Sequence, residues 1–135
     1  MILVDSCVWS LALRRKNSAL LDPNQQQALA SLTQAIRNHQ AAIVGPIRQE
    51  VLSGLKDSQH FQRIKTGLSV YPDELILTAD YEEAARLFNL CRSQGLQSGP
   101  VDILLCAITH RRGWNLLTID SGLIACKRLI AVTQP

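Results

Sequence analysis

The chain has 135 residues, 47% hydrophobic and 19% charged, which suits one globular domain and excludes a disordered chain. Its net charge of +3 permits a polyanionic partner without demanding one, and 4% aromatic content is too little for a base-stacking platform. No apolar run approaches the roughly 18 residues of a membrane span.

Residues 1–4 (MILV) form a short, wholly apolar strand, the pattern of a strand buried on both faces. Ser6 to about Lys16 reads as a helix, with Val8, Trp9, Ala12 and Leu13 on one side. A polar loop to Asp22 follows, then a helix from Pro23 to about His39 with Ala28, Leu29, Leu32, Ala35 and Ile36 at helical spacing. Residues 41–44 are the second strand. Pro46 opens a helix that weakens near Gly54, and residues 58–68 repeat the pattern. Leu75–Leu77 reads as a third strand. Asp80 opens a helix that stops at Gly95. Residues 100–112 form another, ended by Gly113, before a fourth strand at Asn115–Ile119. A short turn of helix at Gly122–Cys126 and a last strand at Leu129–Val132 complete the chain. Alternating strands and helices predict an α/β domain, a parallel sheet of about four to five short strands with helices on both faces.

Met1 leads straight into a strand, so no secretory leader is read. Cys7, Cys91, Cys106 and Cys126 have none of the short spacings of zinc sites or redox dithiols. Free thiols in a reducing cytoplasm are the expectation.

Asp5, Glu50, Asp102 and Asp120 carry the functional signal. Asp5 and Asp120 directly follow apolar strands, while Glu50 and Asp102 lie just inside helices opened by Pro46 and Pro100. In an open parallel sheet the carboxyl ends of the strands share one edge, so such residues can meet there. Each acid alone has an ordinary reading. Asp5 could cap the next helix, Glu50 could pair with Arg48 or Arg14, Asp102 could be a capping acid, and Asp120-Ser121-Gly122 could be a turn. The seven remaining acids all have local duties: Asp22, Asp57 (with Ser58 as rival) and Asp80 cap helices, Glu82 and Glu83 favour a helix start, and Asp73 and Glu74 follow Pro72 in a turn. Four acids at one sheet edge would repel one another unless a cation joined them. Magnesium or manganese takes one or two carboxylates with waters and phosphate oxygens, which points to phosphodiester chemistry.

These residues resemble a known family. Val4-Asp5-Ser6, Pro46 through Glu50-Val51-Leu52 with Gly54, Gly99-Pro100-Val101-Asp102 with Leu104, Ala107 and Ile108, and Leu116-Leu117-Thr118-Ile119-Asp120 together resemble the PIN domain. Within it, the chain resembles the small single-domain VapC-type toxins, over essentially its whole length. The resemblance implies a PIN-like three-layer sandwich and a metal centre of Asp5, Glu50, Asp102 and Asp120 supported by Ser6 and Thr118. Asp5, Asp102 and Asp120 would be the direct ligands. It further implies Mg²⁺- or Mn²⁺-dependent RNA cleavage, a homodimer, and a cognate VapB-like antitoxin. Many relatives carry a further acid and an aromatic where this chain has Gly122 and Leu123, so one well-held ion is expected rather than two.

Other features read as structural. The basic clusters Arg14-Arg15-Lys16 and Arg111-Arg112 end helices, where cations are favoured, and Lys127-Arg128 is a candidate phosphate contact. His39, His60 and His110 have no partner at ligand spacing, and Trp9 and Trp114 read as packing residues. A receiver-type phosphoacceptor would need an aspartate at the end of a mid-chain strand, and an aspartyl-nucleophile phosphatase would need an acid where Cys7 stands. A non-catalytic interaction module of the same fold is the remaining alternative.

Overall fold

The computed structural model describes residues 1–14 and 20–134. Among these, the elements run β1 (Ile2–Val4), α1 (Ser6–Arg14), α2 (Pro23–Arg37), β2 (Ala41–Ala42), α3 (Gly45–Leu52), α4 (Ser58–Leu68), α5 (Thr78–Ser93), α6 (Pro100–Arg112), β3 (Asn115–Leu117) and α7 (Ser121–Thr133). The class is α/β, with a parallel sheet in the order β2-β1-β3. Three strands form among the described residues, where four to five were expected. The chain divides into two compact units, Met1–Glu74 with Leu117–Ile119, and Leu75–Leu116 with the chain from Asp120 onward.

In the first unit, β1 pairs in parallel with β2, Ile2 opposite Ala41 and Leu3 opposite Ala42. Leu3 and Val4 are fully buried, as their uninterrupted apolar run predicts. Ile43 goes on to a single bridge with Asp73, and the Glu74 amide donates to the Ile43 carbonyl at 2.9 Å. The expected strand at Leu75–Leu77 does not form. Pairing is used up two residues earlier, and the Leu75 carbonyl accepts from Arg112 Nη2 at 2.7 Å instead of from a ladder amide. Leu75 is 73% exposed, unlike a residue of a buried strand.

Asp22 is the N-cap of α2. Its Oδ1 accepts from the Gln25 amide at 2.7 Å while Gln25 Oε1 accepts from the Asp22 amide at 3.1 Å, with Pro23 opening the helix. Asp22→Ala should therefore cost about 1 kcal/mol, read as a lower urea midpoint with unchanged slope. An unmoved midpoint would show that the cap contributes nothing. Asp57, not Ser58, caps α4, accepting from the Gln59 amide at 3.0 Å. Arg48 fastens the end of α4 to the following turn, donating to Asp73 Oδ1 at 2.9 Å, to the Leu68 carbonyl at 3.1 Å and to the Tyr71 carbonyl. Trp9 is buried against Tyr71, ring centroids 4.9 Å apart. Arg15 and Lys16, which the sequence assigns to the end of α1 and to a basic cluster, lie outside the described residues.

The second unit is helical. Ile103 through Thr109 of α6 are all buried, the all-round burial of a central helix. Gly113 ends it with φ of +67°, a left-handed conformation that glycine adopts without a Cβ penalty. The expected last strand at Leu129–Val132 is instead the end of α7. Leu123, Cys126 and Ile130 are buried at spacings of three and four residues, a helical stripe that the short apolar run conceals. Asp80 lies in the first turn of α5 rather than before it, and its Oδ2 accepts from the Leu77 amide at 2.8 Å. It is fully buried and bonded to both Arg111 and Arg112, the latter at 2.8 Å. Burial alone would raise its carboxyl, but the Leu77 amide and the two guanidiniums outweigh that and hold it below the usual carboxylate range.

All four cysteines are free. Burial pushes the Cys91 thiol up to about 11 and the Cys106 thiol up to about 12. Such thiols are unreactive at neutral pH, in keeping with the packing role expected of them.

Candidate functional site

Asp5 follows β1, and its carbonyl accepts the amides of Val8 and Trp9 to start α1, at 3.1 and 3.2 Å. Its own amide donates to the Leu117 carbonyl at 2.9 Å. The backbone on both sides is thus fixed, and the residue is 5% exposed. Oδ1 accepts the Ser6 amide at 2.8 Å, while Oδ2 accepts the Thr118 hydroxyl at 2.7 Å and the Cys7 thiol at 3.3 Å. The cap that Asp5 could have been is there in part, through Ser6. The bond from Thr118, 113 residues away, is one that capping does not require.

Ser6 links this carboxylate to the next acid. Its amide serves Asp5, and its hydroxyl donates to Glu50 Oε2 at 2.7 Å. Glu50 therefore does not pair with Arg48, which is committed to Asp73. Its position on α3 also differs from the expectation of a helix start. The helix has eight residues, Gly45–Leu52, and Glu50 lies in its last turn, where the dipole no longer favours an anion.

Cys7 is the participant that the sequence did not reveal. Its sulfur lies 3.3 Å from Asp5 Oδ2 and 3.6 Å from Thr118 Oγ1, and the Ile119 amide hydrogen-bonds to it. Burial pushes its thiol above the ordinary value, a rise that the nearby Asp5 carboxylate reinforces. The available signal was its place two residues after Asp5, in the first turn of a helix.

The other two acids belong to the second unit. Asp102 is half-buried in the first turn of α6, and Ser98 Oγ donates to its Oδ2 at 3.3 Å. Asp120 is exposed and is the N-cap of α7, Oδ1 accepting the Leu123 amide at 2.8 Å. A Cβ at Gly122 would come within 3.3 Å of that Oδ1, so the small residue here leaves the Asp120 carboxylate uncrowded.

The basic clusters divide. Arg111 and Arg112 are taken by Asp80, and Arg112 also stacks over Trp114 at 5.0 Å, so this pair is structural. Lys127 Nζ donates to the Leu116 carbonyl at 3.2 Å, and Arg128 is exposed. Between α5 and α6 lies an apolar hollow of about 400 Å³, with Tyr81, Phe88, Val101 and Leu104 among its walls.

The donors offered by Asp5 and Glu50 are all hard oxygens, the type that magnesium and manganese prefer. Within neither unit do three His, Cys, Asp or Glu side chains of the described residues stand close enough to hold a metal ion. Two carboxylates joined through Ser6 still match the one or two that a magnesium ion commonly takes. Among the described residues, no helix is long and apolar enough to cross a membrane. No protein-family model matches the chain, and no curated protein matches it.

Proposed function

We propose that the protein is a metal-dependent endoribonuclease of PIN type, the toxin of a toxin–antitoxin pair, with Mg²⁺ or Mn²⁺ as its cofactor. One observation carries the reading: the Asp5 carboxylate is buried yet held by three donors from Ser6, Cys7 and Thr118, and Ser6 ties it to Glu50. A buried acid so braced, at a strand end and bonded across 113 residues, goes beyond what a helix cap needs.

In this reading Asp5 and Asp102 are direct ligands and Asp120 is a further one. Glu50, more exposed, orients or deprotonates the attacking water. Ser6 and Thr118 hold the carboxylates in place. The ion, when bound, polarises the phosphodiester and lowers the pKa of water. Because water attacks rather than the ribose 2′-hydroxyl, the product carries a 5′-phosphate. The three-layer PIN-like arrangement, the cytoplasmic location, the homodimer and the VapB-like antitoxin are part of the same proposal, supported by the sequence motifs.

The test is incubation of purified, antitoxin-free protein with a mixed cellular RNA pool, with Mg²⁺ or Mn²⁺ and with EDTA. Discrete cuts bearing 5′-phosphates that vanish with EDTA are expected. A folded protein that leaves every RNA in the pool intact would favour the non-catalytic interaction module.

A further inference from the structure

We propose that Cys7 is a positioning residue that makes Asp5 a one-oxygen metal ligand and thereby favours Mg²⁺ or Mn²⁺ over Ca²⁺. The inference rests on the reading of Asp5 as a metal ligand given above.

A carboxylate offers about four lone-pair positions, two on each oxygen. On Oδ2 both are filled, one by the Thr118 hydroxyl at 2.7 Å and one by the Cys7 thiol at 3.3 Å. On Oδ1 the Ser6 amide fills one at 2.8 Å. The position left open is therefore on Oδ1. The thiol cannot drift from its post easily, because its sulfur is also met by the Ile119 amide and lies 3.6 Å from Thr118 Oγ1.

The consequence is a selectivity. Calcium takes six to eight oxygens and readily accepts both oxygens of one carboxylate, whereas magnesium demands near-octahedral geometry with single oxygens and waters. A carboxylate whose second oxygen is saturated disfavours the calcium mode. Without the thiol, one position on Oδ2 opens and two-oxygen binding becomes possible. Thr118 alone cannot prevent this, since one hydroxyl hydrogen fills one lone pair.

The experiment is calorimetric titration of the full chain with MgCl₂, MnCl₂ and CaCl₂, for wild type, Cys7→Ser and Cys7→Ala, with Asp5→Asn as the blank. Wild type should prefer magnesium to calcium. Cys7→Ser, which keeps a donor, should retain that preference, and Cys7→Ala should lose it about tenfold, the lower range for an outer ligand partner. Cys7→Val gives the same reading should the alanine variant not fold. A wild-type preference in both apolar variants overturns the role of Cys7 and leaves the metal centre standing. Loss in Cys7→Ser equal to that in Cys7→Ala also overturns it. No metal-specific heat in wild type overturns the metal centre itself, and the inference with it.

Discussion

Asp80→Ala is expected to destabilise the protein by about 3 kcal/mol, because it strips the shared partner from two arginines. The carboxylate is fully buried at the start of α5 and binds Arg111 and Arg112, the last two residues of α6. Removal leaves Arg112, whose side chain is only 19% exposed, next to an empty space with its charge unmatched. At this chain length the loss corresponds to roughly 10 °C in melting temperature. Asp80→Asn keeps the shape but not the charge, so it should fall between the two. The pH dependence has a definite sign. The folded carboxyl is held below its usual range, so its contribution is complete above about pH 4 and is lost as the pH falls through the lowered value. Asp80→Asn should flatten the acid limb of a stability–pH curve in that window. Glu83 and Arg86 supply the control, being a partly exposed pair three residues apart on α5, and Glu83→Gln should move the melting temperature much less. Equal effects of Asp80→Ala and Glu83→Gln would show that the buried cluster is not a stabilising element.

That cluster also marks where reading the sequence stops short. Asp80 looks like a helix-capping acid and does serve the Leu77 amide, but nothing local shows that two arginines more than thirty residues on reach back to it. Helices were legible where propensity and burial agree: Pro23, Pro100 and Gly113 bound α2 and α6 as expected, because their backbone restrictions are local. Strands were less so. Leu75–Leu77 and Leu129–Val132 are apolar enough for either state, and only pairing decides. Asp73 takes the bridge to Ile43, and Ile130 continues the buried stripe of Leu123 and Cys126. At the candidate site, the place of Asp5 was legible because strand-end acids follow a topological rule, whereas Ser6 and Thr118, which bond to it, were reached only through the family resemblance. Cys7 was not, since a thiol in an apolar helix usually signals packing. Glu50 meets the Ser6 hydroxyl but lies in the last turn of α3 rather than at its start, because the length of α3 was not evident from Pro46 alone.

Asp5→Asn should lower metal-dependent RNA cleavage on the order of a thousandfold, equivalent to about 4 kcal/mol of transition-state stabilisation. The substitution removes a charge and little else. The amide oxygen can keep the Ser6 bond on the Oδ1 side, and its NH₂ meets the Thr118 hydroxyl, which can turn from donor to acceptor. The Cys7 thiol loses its acceptor, so a stability cost of about 1 kcal/mol is expected, too small to unfold the chain. Activity assayed well below the melting temperature then reports on the site. Thr118→Val tests the same geometry by another route. It keeps the Asp5 charge but removes the strongest brace on Oδ2, and about a tenfold loss is expected. Asp102→Asn should match Asp5→Asn if both acids bind the ion, whereas Asp22→Asn, at a helix cap, should cleave like wild type. Retained metal-dependent cleavage in both Asp5→Asn and Asp102→Asn would remove these acids from the site, whatever nuclease activity the protein showed. Loss in Asp5→Asn alone would remove Asp102 from the centre and leave Asp5 in it, with Glu50 joined to it through Ser6.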